Sequence, residues 1–305
     1  MRTSAADRWH ARWRARLVRL PPLVWLSAFF LVPFLITLKI SLSDAATAMP
    51  PYLPVLDWQG GREGWASFLE ALDFENYAVL WFDTFYRDAA LSSLAYAGAA
   101  SLVLVLLGTP LAYALARAPA RLQPLLVALV VVPFWTSFLV RVYAWIAILK
   151  PEGLLNAGLL RLGLIARPLE ILNTPTAVLI GLVYAYLPFM VLPLYAVMSR
   201  LDGSLREAAA DLGAGPVRAF WSVTLPLAAP GIAAGALLCF IPMVGEFVIP
   251  DLLGGSDTLM LGRVLWSEFF SNRDWPLASA VAVLLLLIVI GPVLLFRGAG
   301  REAAR

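Results

Sequence analysis

The sequence is poor in charge. Asp, Glu, Lys and Arg make up 14% of its 305 residues, against roughly a quarter in a soluble domain. A chain so depleted cannot cover a folded surface with hydrated side chains. Cysteine is scarcer still. Cys239, inside an apolar run, is the only one, which excludes an intrachain disulfide and a thiolate metal cage. The single histidine, His10, lies in an Arg-rich stretch near the start. One His and one Cys leave zinc chemistry and Cys–His nucleophilic catalysis without material. Lysine occurs only at positions 39 and 150, and neither follows a G-x-x-x-x-G pattern. A phosphate-binding loop is therefore excluded, and with it ATP hydrolysis by this chain. No cofactor or metal constellation is present in the pattern, so the expectation is a non-catalytic protein without cofactors.

What is abundant is apolar sequence. Hydrophobic residues make up 61% of the chain and mean hydropathy is +0.81. A helix needs about 20 apolar residues to cross the hydrocarbon core, and six stretches qualify: 21–40, 89–116, 122–149, 176–198, 227–250 and 276–296. The expected fold class is an all-α integral membrane protein with six transmembrane helices. Its expected organisation is an Arg-rich tail (1–20), a first span (21–42), a long loop (43–88), a core membrane domain (89–297) and a short tail (298–305).

Charge gives the orientation. The tail before Pro21, the 117–121 turn, the 199–226 segment and the last residues hold 14 basic and five acidic residues, whereas the opposite loops hold seven basic and 14 acidic. Arg and Lys favour the cytoplasmic side, so both termini and the 199–226 loop are expected there. The chain is then a multi-pass membrane protein. Its pI of about 9.2 reflects Arg spread for topology. Nucleic acid is not an expected partner, while the Arg-rich tail is suited to anionic lipid. The run RWRARLVR, an apolar stretch and AATA (45–48) resemble a signal peptide, but the apolar run exceeds the usual length and Lys39 separates it from the Ala cluster. A retained anchor helix is expected. The 43–88 loop, with Pro50, Pro51, Pro54, Gly60, Gly61 and several aromatics including Trp58, reads as ordered, with short helices.

One loop stands apart. In REAAADLGAGPVRAFWSVTLPLAAPG (206–231), Ser204 and Glu207 have capping-box spacing, and Leu205, Ala208, Ala209 and Leu212 share a helical face. Gly213 suits a left-handed helix stop, and Pro216 suits the first turn of a second short helix with Val217, Phe220 and Trp221 on its apolar side. Leu225-Pro226 is expected to turn the chain back toward the membrane. The pattern predicts a helix–Gly–helix hairpin over 203–222 whose small-residue face permits close docking.

At these residues the chain resembles a known family. Glu207-Ala208-Ala209, Gly213, Val223 and Leu225-Pro226 are similar to the EAA signature of permease subunits in binding-protein-dependent ABC importers, with Val223 where Ile is usual. The stretches 133–150, 181–195, 240–255 and 261–282 resemble polyamine permeases, most of all those of putrescine importers. The resemblance implies the type I, MetI-like fold. It implies that the hairpin is a coupling helix using Glu207, Ala208, Ala209, Leu212, Gly213, Val217, Leu225 and Pro226. The implied partners are an ATP-binding subunit dimer, a second homologous permease and a periplasmic polyamine-binding protein. The implied cargo is putrescine, with spermidine or another small organic cation as the alternative. A stand-alone secondary transporter is the rival from another class, and ATP dependence separates the two.

Candidate transport residues follow from charge at membrane depth. Glu246, flanked by Pro242, Gly245 and Pro250, is costly to bury and marks function by default. Two roles stay open: lining a cation path, and pairing with Arg141 of the third span. Tyr184, Tyr186, Phe189 and Tyr195 in the fourth span, with Trp135 and Tyr143 in the third, offer faces for cation–π contact or for packing. Gly231-xxx-Gly235 suggests a close helix contact. Asp251, Asp257, Glu268 and Asp274 make the 251–275 loop acidic, suited to gating or docking.

Overall fold

A computed structural model describes residues 17–55, 57 and 59–302, with side chains described to residue 294. The Arg-rich stretch before Leu17, His10, Trp58 and the final residues lie outside the described part. The chain divides into two compact units.

In the first unit, helix α1 (Leu17–Ser41) has a mean hydropathy of 2.1 and buries none of its apolar window. A bare apolar helix of 25 residues is stable only against lipid or another apolar surface. Its C-terminal carbonyls, orphaned like those of any helix, are taken up partly by the chain that follows, where the Leu42 amide reaches Lys39 and the Ser43 amide reaches Ile40, and partly by a distant side chain. The Asn76 amide donates to the carbonyls of Ser41 and Ser43 at 3.2 and 2.8 Å. The loop that follows is ordered. Asp44–Ala45 pairs antiparallel with Tyr52–Leu53, and α2 (Gly61–Glu70) and α3 (Glu75–Phe82) follow. The Lys39 ammonium lies 4.1 Å from the centre of the Tyr52 ring and donates to the Pro54 carbonyl.

The second unit is built on α4 (Thr84–Arg117), α8 (Pro175–Met198) and the long helix α10 (Pro216–Val244). Small residues let these backbones approach. A Cβ on Gly108 would meet Met190 Cγ at 2.7 Å, and one on Gly235 would meet Met190 Sδ at 2.9 Å. Met190 therefore fills the space that two glycines leave. Gly231 likewise admits Val197, so the Gly-xxx-Gly pair is a helix contact, as the sequence suggests. Ala97, Ala100, Leu104, Val178, Leu182, Leu194 and Cys239 complete a dry core.

The third expected span is not one helix. Its first part, α5 (Gln123–Val131), tightens into a 3₁₀ turn through Trp135. Thr136 and Ser137 are extended, and α6 (Phe138–Leu149) and α7 (Leu154–Arg161) leave at 90°. Pro133 cannot continue an α-helical ladder, and Ser137 restarts it. The described residues therefore hold five continuous helices able to cross a membrane and one broken pair. The fold is all-α, as expected, with a correction inside 122–149. The fifth span is also interrupted. α10 ends at Val244, residues 245–247 leave the helix, and α11 (Val248–Leu253) follows. Helix α12 (Leu261–Trp266) packs back on this break, where Gly262 leaves no room for a Cβ against the carbonyls of Gly245 and Glu246. The Ser93 hydroxyl accepts a hydrogen bond from the Leu261 amide at 2.7 Å. The last helix, α13 (Trp275–Glu302), carries Pro292.

Candidate functional site

Two places bring the singled-out residues together. The first is the hairpin. Helix α9 (Ser204–Asp211) begins one residue earlier than a capping box requires. Ser204 is helical, and the cap is supplied by Asp202, whose carboxylate accepts from the Ser204 amide at 3.0 Å. That contact holds the Asp202 carboxyl below its ordinary pKa. Glu207 remains in the first turn, where its charge suits the helix N-terminus. The stop is a Schellman pair: the Ala214 amide reaches the Ala209 carbonyl and the Gly213 amide the Ala210 carbonyl, both at 2.9 Å. Gly213 has φ +83°, open to glycine and strained for other residues.

The second arm departs from expectation. Pro216 opens it, but Leu225-Pro226 does not turn the chain. α10 runs through a wider π segment at Phe220–Thr224 and continues as the membrane helix to Val244. Pro226 falls in the first turn after the π segment, where the missing amide is tolerated. The arm is thus continuous with a span, and Phe220 packs edge-on against Tyr113 of α4 at 5.0 Å. Leu212 (89% exposed) and Val217 (71%) stand on the outer surface with Leu205 and Trp221. Glu207, Ala208, Gly213 and Pro226 are exposed, while Ala209 and Leu225 are half-buried.

The second place is a cavity of about 510 Å³ between α5, α6, α8 and α10. Phe134, Phe138, Tyr186 and Phe189 wall it, together with Leu238, Ile241 and Pro242, and two charged residues, Glu246 and Arg141, face into it. The Glu246 carboxylate has partners on both oxygens: the Tyr186 hydroxyl donates to one at 2.8 Å and the Val248 amide to the other at 3.0 Å. A carboxylate offers about four acceptor sites, so these two bonds orient it and leave it able to accept more. Tyr186 and Phe189 stand 5.9 Å apart, and Phe134 meets Phe189 edge-on at 5.3 Å.

Arg141 is not the partner of Glu246. No ion pair joins the two; Arg263 and Asp251 do form one, at 3.1 Å. Arg141 instead donates to the Pro133 carbonyl at 2.9 Å, and its guanidinium carbon lies 4.6 Å from the Phe134 ring and 5.9 Å from Phe138. The break in the span explains this. It turns α6 so that Arg141 reaches the Pro133 carbonyl, which also accepts from the Thr136 hydroxyl at 2.7 Å, and the Arg141 bond braces the two halves of the broken helix.

The remaining aromatic candidates scatter. Trp135 is 83% exposed and Tyr143 is also exposed, while Tyr184 packs on Trp145 at 5.3 Å. Tyr195 reaches Gln123 at 3.5 Å. None of these lines the cavity. Phe134 and Phe138 are the walls that the sequence reading passed over. Their spacing of i and i+4 invites one continuous helical face, and only the intervening break folds both around Arg141. Asp44, Asp73 and Glu75 come within 4.8 Å of one another, all exposed, and Asp73 is turned to the Glu75 amide at 2.9 Å.

Residues 105–297 match the family described as binding-protein-dependent transport system inner membrane component. The chain is 40% identical over 265 residues to the spermidine/putrescine transport system permease protein PotB of Haemophilus influenzae, covering 87% of this chain and 86% of that relative. It is 45% identical over 231 residues to the protein of the same name from Escherichia coli, covering 75% and 83%. In fold it is similar to a chain of the bacterial alginate ABC transporter solved with its pentasaccharide-bound periplasmic protein. The TM-score is 0.73 at 16% identity, covering 99% of this chain and 98% of that one.

Proposed function

Because this chain belongs to the family of binding-protein-dependent transport system inner membrane components, we propose that it is the permease subunit of an ATP-binding-cassette importer for polyamines, putrescine foremost. The observation that carries this reading is the Glu246 carboxylate, held by Tyr186 and the Val248 amide in a cavity walled by aromatic rings. A polyamine is a chain of methylenes ending in ammonium groups. It needs a fixed negative charge, acceptor lone pairs, and apolar or π faces for the rest. Buried acidic residues in a membrane face cavities and mark cation paths, and aromatic faces add attraction for ammonium groups. The names of the relatives favour the same cargo class and leave spermidine as the second reading.

The chain supplies no chemistry of its own. The partners are an ATP-binding subunit dimer, a second homologous permease and a periplasmic binding protein. The excess of Arg on one side supports cytoplasmic termini and a cytoplasmic hairpin. There the exposed Leu212 and Val217 would seat in the ATP-binding subunit. Movement of that subunit would reach the membrane through α10 without a flexible joint, since the second arm and the span are one helix. Each state of the cycle must then differ in its contacts at the hairpin.

The test is labelled putrescine uptake into proteoliposomes holding this chain with its partner permease and ATP-binding subunit, binding protein outside and ATP inside. Uptake that requires ATP is expected, with spermidine as competitor. Uptake of putrescine without ATP overturns the coupling reading, and ATP-driven uptake of spermidine alone moves the cargo to the longer amine.

A further inference from the structure

The residue that carries the charge of the cavity has no helix of its own. Residues 245–247 lie between the end of α10 and the start of α11, and Glu246 reaches the Tyr186 hydroxyl and the Val248 amide from there. Each of those bonds needs its heavy atoms about 3 Å apart, so a small shift of the backbone at 245–247 breaks one or both. The shift is limited by α12. Gly262 is buried, and a Cβ built on it would collide with the carbonyl oxygens of Gly245 and Glu246, the second at 2.6 Å. The backbone of α12 therefore rests directly on the two carbonyls of the break. α12 is itself held on three sides. The Leu261 amide donates to Ser93 of α4 at 2.7 Å, Arg263 pairs with Asp251 of α11 at 3.1 Å, and Trp266 stacks on Phe247 at 6.3 Å.

We infer that Gly262 is a positioning residue for transport: by seating α12 on the break, it holds the Glu246 carboxylate where Tyr186 and Val248 meet it. The inference rests on the reading of the Glu246 cavity as a cation path. Gly262 touches no cargo and acts only through the backbone of Gly245 and Glu246. A side chain at 262 would press on main-chain atoms, which cannot rotate aside as the end of a flexible side chain can. α12 is pinned by Ser93 and Asp251, whereas residues 245–247 lie outside any helix, so the break is the part that yields. The carboxylate then leaves its two donors, and the preorganised charge is lost although Glu246 is still present. An interior glycine of a helix is costly, and here close backbone approach is what requires it.

The experiment sets Gly262→Ala beside Gly153→Ala in the complete reconstituted transporter. Gly153 is an equally crowded glycine. It is buried, and a Cβ there would collide with the carbonyl oxygens of Ile148 and Ala147, the second at 2.7 Å, away from the break. Each variant is made in wild-type and Glu246→Gln backgrounds, and ATP-dependent putrescine uptake is measured. A residue that acts through Glu246 loses its effect once the charge is gone, while an independent packing defect multiplies. Gly262→Ala is expected to lower uptake in the wild-type background and to change it by less than about twofold in Glu246→Gln. Gly153→Ala is expected to lower it by the same factor in both. Equal factors for Gly262→Ala in the two backgrounds overturn the inference. A second readout does not depend on transport. The rate at which a membrane-permeant carbodiimide labels Glu246, followed by peptide mass spectrometry, is expected to rise roughly tenfold in Gly262→Ala, as for a carboxylate released from a charge-assisted hydrogen bond, and to stay at the wild-type value in Gly153→Ala. An unchanged rate in Gly262→Ala overturns the inference. Where Gly262→Ala does not assemble, Ser93→Ala loosens α12 without adding bulk, and the same two labelling outcomes decide. Wild-type uptake in Glu246→Gln removes the cation-path reading and the transport role of Gly262 with it, whatever the labelling shows.

Discussion

The hydroxyl of Tyr186 donates to the carboxylate of Glu246 across 2.8 Å, joining residues 60 positions apart, one on α8 and one in the break after α10. The bond closes one side of the cavity and fixes which way the charge points. It also ties the break after α10 to the unbroken α8. The carboxylate is therefore preorganised before any cargo arrives, which lowers the cost of binding.

Glu246→Gln tests the charge separately from the shape. The amide carbonyl still accepts from Tyr186 or Val248, so the protein is expected to fold and assemble. Loss of the charge is expected to cut polyamine uptake by about tenfold or more, since one charge–charge contact is removed from a low-dielectric site. Uptake kinetics and thermal melting of the purified complex, measured together, check this. Wild-type uptake with wild-type cation preference would take Glu246 out of the path.

Leu212→Arg tests the hairpin. Leu212 is 89% exposed, so the substitution is expected to change the stability of the chain by no more than about 0.5 kcal/mol. Placed in a docking surface it puts a charge where an apolar side chain should be buried. The ATP-binding subunit is expected to fall away during co-purification and ATP-driven uptake to be lost. Normal co-purification would move the docking surface elsewhere.

Gly235→Val tests the core. The new side chain would start 2.9 Å from Met190 Sδ. Overpacking of this kind costs about 1–3 kcal/mol, so a lowered melting temperature in detergent is expected. Combining it with Met190→Ala should restore part of the loss, because the space is shared. No recovery would mean that the two residues do not compete for it.

The start of α9 carries a pH dependence. The Asp202 carboxyl is held below its ordinary pKa by the Ser204 amide. Such a group stabilises the folded form above its unfolded pKa, near 3.9, and loses that contribution as pH falls through the lower folded value. Amide exchange at Ser204, followed from pH 6 downward, should quicken only below pH 4 after correction for the intrinsic rate. In Asp202→Ala the exchange should be fast throughout and lack that step. A step that persists in the variant would assign it to another group.

The sequence by itself determined the membrane class, the apolar stretches long enough to cross and the Gly stop of the hairpin. Hydropathy summed over a window of about 20 residues is a local quantity, and a Gly stop such as Gly213 or a Pro start such as Pro216 acts through its own backbone. Only the tertiary structure decided what the charges do. Glu246 and Arg141 are opposite charges in the fifth and third spans, and sequence pattern naturally offers them as a pair. The 90° break in 122–149 hands Arg141 to the carbonyl of Pro133, and the packing of α8 against α10 hands Glu246 to Tyr186. The same holds for the cap of α9, where Ser204 had the right spacing but Asp202 had the right geometry. Partner choice depends on where helices end and how they pack, and neither is written in the identity of the two residues that meet.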